Sequence, residues 1–466
     1  MLKGLATAFL GLYLPLLAVA VALAAATLAL SLKTKDRFSL GFGVLLVTAV
    51  LVPFHLGNSA GGFNAPLLVA GALCVVWLLE QIVRGRLAVD RSPVVLALLA
   101  FMAASVLSFV VGQYPWFPTP HAPMRAQVGG LGLFLLSGAV FLVVGHKVGS
   151  LAQLSRLTWG FIASGTLLVG ALIVGVPDLD VGPVGITSSQ SLGSMFFVWV
   201  VAMAASQALH NRDLPAAARL AAMAAAALAL GRGLFLSFSW ASGWLPAVVA
   251  LTVIVLMRCP RTLVAALLLA VTPALLFGDR VIAALLVGEE YSWFTRVEAI
   301  RVMLQVMARN PWLGFGPANY HYYTLLFPFL GWWAQFNTHN NYLDLLAQTG
   351  LIGTLAFLWF AVEVFRAASK LRRRVPDGFA RAYVVGVVGG LAGSLIAGLL
   401  ADWIIPFAYN IGIRGFRSSV LFWFFLGGLL AIKRMSLSPN AVLGVAPLGG
   451  PLFQAAVPLD ASARSR

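Results

Sequence analysis

The stretch FNTHNNYLDLLAQTGLIGTL, residues 336–355, sets His339 and three asparagines at the edge of an apolar run. A titratable imidazole in such a place can serve in catalysis as a proton acceptor or donor. The competing reading is a histidine that simply sits at a membrane interface. Upstream, SWFTRVEAIRVMLQVMARNP (292–311) carries Arg296, whose planar guanidinium can hold an anionic group through two parallel hydrogen bonds. Its alternative is a surface arginine that meets lipid phosphates. Between them NPWLGFGPANYHYY supplies Gly314, Gly316 and Pro317, a tight turn whose amides can approach a ligand. No metal chemistry is expected. His55, His121, His146, His210 and His321 are scattered at span ends without ligand spacing, and Asp279, Glu289, Glu290 and Glu298 form no recognisable ligand set. The residues alone leave two readings open for each of His339 and Arg296, a group that acts on a substrate or a side chain at the membrane interface.

The elements that must carry these groups are set by hydropathy. The chain of 466 residues is 61% hydrophobic and 10% charged, with a mean hydropathy of +0.94. That is an excess no water-soluble core needs. Apolar runs recur at about 5–32, 38–57, 65–83, 93–112, 128–146, 157–176, 191–209, 214–231, 240–258, 262–287, 348–369, 380–402 and 416–432. They predict an all-α polytopic membrane protein of about 12–13 helices, since backbone in lipid must satisfy its own hydrogen bonds. The continuous Leu/Ala/Val runs lack the alternation of a membrane β-barrel. The first run is too long for a cleaved signal peptide and is expected to remain as an anchor. Cys74 and Cys259 lie far apart and imply no disulfide framework.

Lys and Arg collect in alternate loops, among them Arg84 and Arg86, Lys147 and Arg156, Arg212 and Arg219, Arg258 and Arg261, RAASKLRRR (366–374), and Lys433 with Arg434. The net charge of +16 is thus explained by the bias of basic residues toward the cytoplasmic side, and nucleic acid is not an expected partner. The same rule puts the long segment 288–347 outside. Strict alternation also puts the N-terminus outside, which Lys3 opposes, so a re-entrant or doubled first segment stays open. The expected organisation is a transmembrane domain over 1–434, an extracytoplasmic cap at 288–347 within it, and a disordered cytoplasmic tail at 435–466, which is rich in Pro, Gly and Ala. In the cap, Trp293, Val297, Ile300, Leu304 and Met307 recur at helical spacing and predict an amphipathic helix lying on the membrane.

HN at 339–340, nine residues, then GLIGT (350–354), preceded by Arg296 and NPWLGFGPANY, resembles the signature of the O-antigen ligase and polymerase superfamily. These are bacterial inner-membrane enzymes of the C-type glycosyltransferase kind that move glycans from undecaprenyl diphosphate carriers. The resemblance, local to about 290–360, implies Arg296 on the diphosphate and His339 as general base or as an orienting group for the acceptor. Asn340, Gly314, Gly316 and Tyr320 would line the substrate. A second family arginine matches Arg232 if GRG is aligned, or is replaced by Trp240 if SFSWASGW is aligned; Arg232 is favoured because it falls at the outer end of its span. An inverting, metal-independent transfer without cofactor would follow, in the inner membrane with its site facing the periplasm. The donor would be an undecaprenyl-diphosphate-linked glycan and the acceptor a glycolipid or glycan. Ligase, polymerase and protein O-oligosaccharyltransferase all fit, with ligase preferred. A flippase for lipid-linked sugars is the reading from another class, and would require polar groups at mid-membrane.

Overall fold

A computed structural model describes residues 37–52, 55–56, 63–85, 89–174, 180–181, 184–185, 192–237, 240–261 and 290–437. The expected spans at 5–32 and 262–287, most of the 176–190 loop, residues 288–289 and the tail beyond 437 lie outside them. The described chain is helical: α1 (Arg37–Leu51), α2 (Ala65–Val83), α3 (Pro93–Val111), α4 (Met124–Lys147), α5 (Leu151–Val174), α6 (Gly193–His210) and α7 (Ala216–Gly231, running into a wider π turn at Arg232–Leu236). Then come α8 (Ala241–Arg258), α9 (Glu290–Met307), the single turn α10 (Tyr320–Tyr323), α11 (Asn341–Arg372), α12 (Phe379–Leu400) and α13 (Phe416–Leu437). Two antiparallel pairs of two-residue strands, His55–Leu56 with Phe63–Asn64 and Asp180–Val181 with Val184–Gly185, are the only sheet among the described residues.

Ten of these helices are long and apolar enough to cross a membrane. α1 is shorter than the roughly 20 residues a span needs. The polytopic all-α expectation therefore holds, with α13 extending three residues into the segment expected to lack structure. α6 is buried along nearly its whole length and α12 and α13 over most of theirs, so these three form the centre of the bundle. Outward faces stay apolar: Leu79, Val83, Leu167 and Leu220 are all exposed, as lipid-facing side chains are.

α11 is the element that matters for the site. The apolar run predicted to begin at 348 begins at Asn341, where the Asn340 side chain accepts from the Tyr342 and Leu343 amides at 2.9 and 3.3 Å. The helix breaks once, at Gly350, whose φ of 64° is a left-handed geometry that side-chain-bearing residues avoid. A break inside a span orphans backbone groups, and residues 311–316 repair it. Phe315 and Gly316 amides donate to the Ala347 and Gln348 carbonyls at 2.9 and 3.0 Å, while Leu351 and Ile352 amides donate to Pro311 and Trp312 at 2.8 and 3.1 Å. From α3 the Ser108 hydroxyl reaches the Leu313 carbonyl, at 2.5 Å, and that of Gln348.

Above the bundle sits a second apolar core, made of Phe117, Val302, Met303, Val306, Phe315, Tyr320, Tyr323 and Phe407. α9 turns to it a second apolar face, besides the one its spacing predicts for the membrane. Val302, Met303 and Val306 are buried with Met307, whereas Phe294, Val297, Ile300 and Leu304 are exposed. The reason is that α9 is apolar on two sides: the aromatic cap takes one, and the other is left as an outward stripe suited to a lipid surface.

Candidate functional site

The groups with chemistry converge where α9, the 328–339 turn and the start of α11 meet. A cavity of about 290 Å³ is lined there by Thr295, Arg296, Ala299, Phe329, Phe336 and the run Gln335–His339. Arg296 and His339, 43 residues apart in sequence, share it. Their neighbours show what sets Arg296 apart. Arg301, one turn and a half further on, is held by Glu298 at 2.9 and 2.5 Å, whereas among the described residues Arg296 has neither a carboxylate nor a hydrogen-bonding partner. An unengaged guanidinium in a cavity wall is an anion site.

His339 is held in an unusual pose, with φ at 47°. That left-handed geometry costs about 1–3 kcal/mol in a residue other than glycine. The surrounding bonds impose it: its amide donates to Asn337 Oδ1 at 3.3 Å, and the flanking Thr338 hydroxyl lies 2.7 Å from Asp344 Oδ1 and 2.9 Å from the Asn340 carbonyl. Behind the histidine, Asn410 Nδ2 lies 3.3 Å from His339 Nδ1 and also donates to Asp402 Oδ1. Asp402 is fully buried, its other oxygen accepting from the Phe407 amide at 2.6 Å, and burial pushes its pKa above the ordinary carboxylate range.

These contacts fix a tautomer. Both Asp402 oxygens accept from N–H groups, so one N–H of the Asn410 amide faces it. The second N–H then faces His339 Nδ1, which has to accept, leaving the proton on Nε2. His339 is exposed on the cavity side, and partial desolvation in the cavity wall, then the charge of Arg296, hold its pKa below the ordinary histidine value. The imidazole is thus neutral at pH 7 and offers Nε2–H to a ligand.

The other residues singled out in the sequence do not line this cavity. Gly314 and Gly316 are buried, and their amides are spent inside the fold, on the Asn310 carbonyl at 3.2 Å and on the α11 break. Their left-handed φ values let this backbone press against α11 and α3, so the expected approach to a ligand is replaced by an approach to a broken helix. Tyr320 is buried, its hydroxyl donating to Asp344 Oδ1 at 2.5 Å, and Asn340 is a helix cap. Arg232, in the π turn after α7, is buried with Nη1 at 3.1 Å from the Ser237 hydroxyl and its guanidinium 5.8 Å from the Phe197 ring centroid. Arg417, near the start of α13, turns inward to the Ala49 and Val50 carbonyls at 2.8 and 2.7 Å.

Asp344, Asp402 and Asn410 were not foreseen. Asp344 carried a signal, a carboxylate one turn into an apolar run, which inside a membrane protein marks a buried polar contact. Asn410 and Asp402 carried none, since their link to His339 spans two helices, α11 and α12.

Residues 224–358 match the model of the O-antigen ligase family. That match covers Arg232, Arg296 and His339 and supports the resemblance to the O-antigen ligase and polymerase superfamily. None of the curated proteins matches the chain.

Proposed function

From an O-antigen ligase domain over residues 224–358 of a multi-pass membrane protein, we propose a glycosyltransferase that moves a glycan from an undecaprenyl diphosphate carrier to an acceptor hydroxyl. The observation that carries this is the cavity shared by the unengaged Arg296 and the neutral His339. Diphosphate is already a good leaving group, so the protein has mainly to neutralise its growing charge and aim the acceptor. Arg296 does the first. His339 does the second, its Nε2–H holding the acceptor oxygen so that a lone pair faces the anomeric carbon. The bond from that oxygen to carbon forms as the carbon–diphosphate bond breaks, with inversion, and the hydroxyl proton passes to the departing diphosphate. No metal is needed to balance the step.

The orienting role is preferred over general base because Asn410 keeps the lone pair on Nδ1, away from the cavity. Among acceptors, lipid A-core is preferred and makes the protein a ligase; a second lipid-linked glycan would make it a polymerase, and a protein hydroxyl a protein transferase. The site would face the periplasm, since the basic helix ends lie on the opposite side. The transporter reading loses support because the buried Arg and Asp side chains among the described residues, Arg232, Asp344, Asp402 and Arg417, all sit at helix ends on the site side.

The test is transfer by purified protein from undecaprenyl-diphosphate-linked oligosaccharide in EDTA, with lipid A-core or the same lipid-linked glycan as acceptor. Transfer should persist in EDTA and fall about 10²–10³-fold in Arg296→Ala and in His339→Ala, both of which should remain folded. Product with neither acceptor, from folded protein that binds donor, would sink the proposal. Asn410→Asp separates the two histidine roles. A carboxylate at 410 would draw the proton to Nδ1 and free Nε2 as a base, so the orienting role predicts loss of transfer and the base role predicts retention.

A further inference from the structure

At the other end of α11 the chain builds a second cavity, of about 510 Å³, whose walls come from four separate elements. Arg212 follows α6, Arg258 ends α8, Arg372 and Arg373 end α11, and Asp377 and Arg381 stand at the start of α12. The 22 residues of α11 after its break put this cavity roughly 33 Å beyond Gly350, at the opposite end of the helix from the His339 turn. Nothing in the transfer chemistry uses it.

Its charge is unbalanced. Five guanidinium groups face one carboxylate, and that carboxylate is already engaged, by Arg212 at 3.0 Å and by Arg381. Arg372 donates to the Met257 carbonyl at 3.1 Å, closing the end of α8. Arg258 and Arg373 have no carboxylate partner among the described residues. Topology alone asks only that basic residues lie on this side of the membrane. It does not ask them to converge: Arg366 and Arg84, on the same side, point outward and pair with Glu363 and Glu80. Gathering like charges around one concave space is unfavourable unless an anion fills it.

We propose that this cavity binds the phosphate headgroup of an anionic phospholipid of the inner leaflet. The chemistry is that of several arginine forks around phosphodiester oxygens. A lipid is chosen over a soluble phosphate because the cavity lies at the ends of four apolar helices, at the depth where lipid headgroups lie, and basic clefts between spans on the cytoplasmic side suit such headgroups. The assignment stands independently of the glycan reading.

The experiment measures the thermal unfolding midpoint and lipid retention of the full-length protein in mild detergent with added cardiolipin, phosphatidylglycerol, phosphatidylcholine or inorganic phosphate. Arg258→Gln combined with Arg373→Gln is the variant of choice, because neither side chain holds the fold together. Arg366→Gln removes the same charge outside the cavity and is the control. The two anionic lipids should raise the midpoint of the wild type and of Arg366→Gln. They should bind the double variant about thirtyfold more weakly. Equal losses in the control and the double variant, no loss in the double variant, or stabilisation by inorganic phosphate in place of lipid would each overturn the assignment.

Discussion

At the scale of single residues, the site is a neutral imidazole kept neutral by its surroundings. Because its folded pKa lies below the ordinary value of 6.5, His339 stays unprotonated as pH falls to that value, and transfer should decline only at lower pH. Arg296 supplies part of this depression. Arg296→Gln should therefore carry its residual activity with an acid limb displaced to higher pH, toward that of an ordinary histidine, as a pH–rate profile would show. A limb that does not move would mean that Arg296 and His339 do not sense each other. At this scale the sequence was only partly legible. Histidine beside asparagine at the edge of an apolar run marked the place, and the motif resemblance joined it to Arg296, but spacing alone could not bring 296 to 339. Still less could it show that Asn410 and Asp402 set the tautomer.

At the scale of elements, hydropathy placed most spans within a few residues, because the lipid requirement is a property of local composition. It missed the break in α11, since TGLIGT is as apolar as an unbroken helix and only the left-handed φ of Gly350 distinguishes it. It also found only one of the two apolar sides of α9, the outward stripe, and missed the side with Val302, Met303 and Val306 that packs into the cap. The break gives a clean prediction. A Cβ on Gly350 would collide with the Trp312 carbonyl in a backbone geometry that already costs about 1–3 kcal/mol. Gly350→Ala should lower the detergent unfolding midpoint sharply, whereas Gly132→Ala, in open space on α4, should be neutral or gain up to about 1 kcal/mol.

At the scale of the whole molecule, the basic helix ends share one side, tied there by Lys147 to Glu80 and by Lys433 to Asp90 at 3.5 Å, and the Arg296 cavity lies on the other. The positive-inside pattern read from the loops predicts which side is which. Cys259, exposed at the end of α8, reports it without mutagenesis, while Cys74 is buried. A membrane-impermeant maleimide should label the protein in inside-out vesicles and leave right-side-out vesicles unlabelled; the reverse would move the Arg296 cavity into the cytoplasm. The splint of residues 311–316 has a consequence for how such a protein can be rebuilt. Without it, the carbonyls of Ala347 and Gln348 and the amides of Leu351 and Ile352 would lie bare near hydrocarbon, at several kcal/mol each. The cap is therefore not a detachable module. A chimaera that imports a foreign cap has to import the α11 break and the Ser108 end of α3 with it, and a deletion that spares every span will still unravel one.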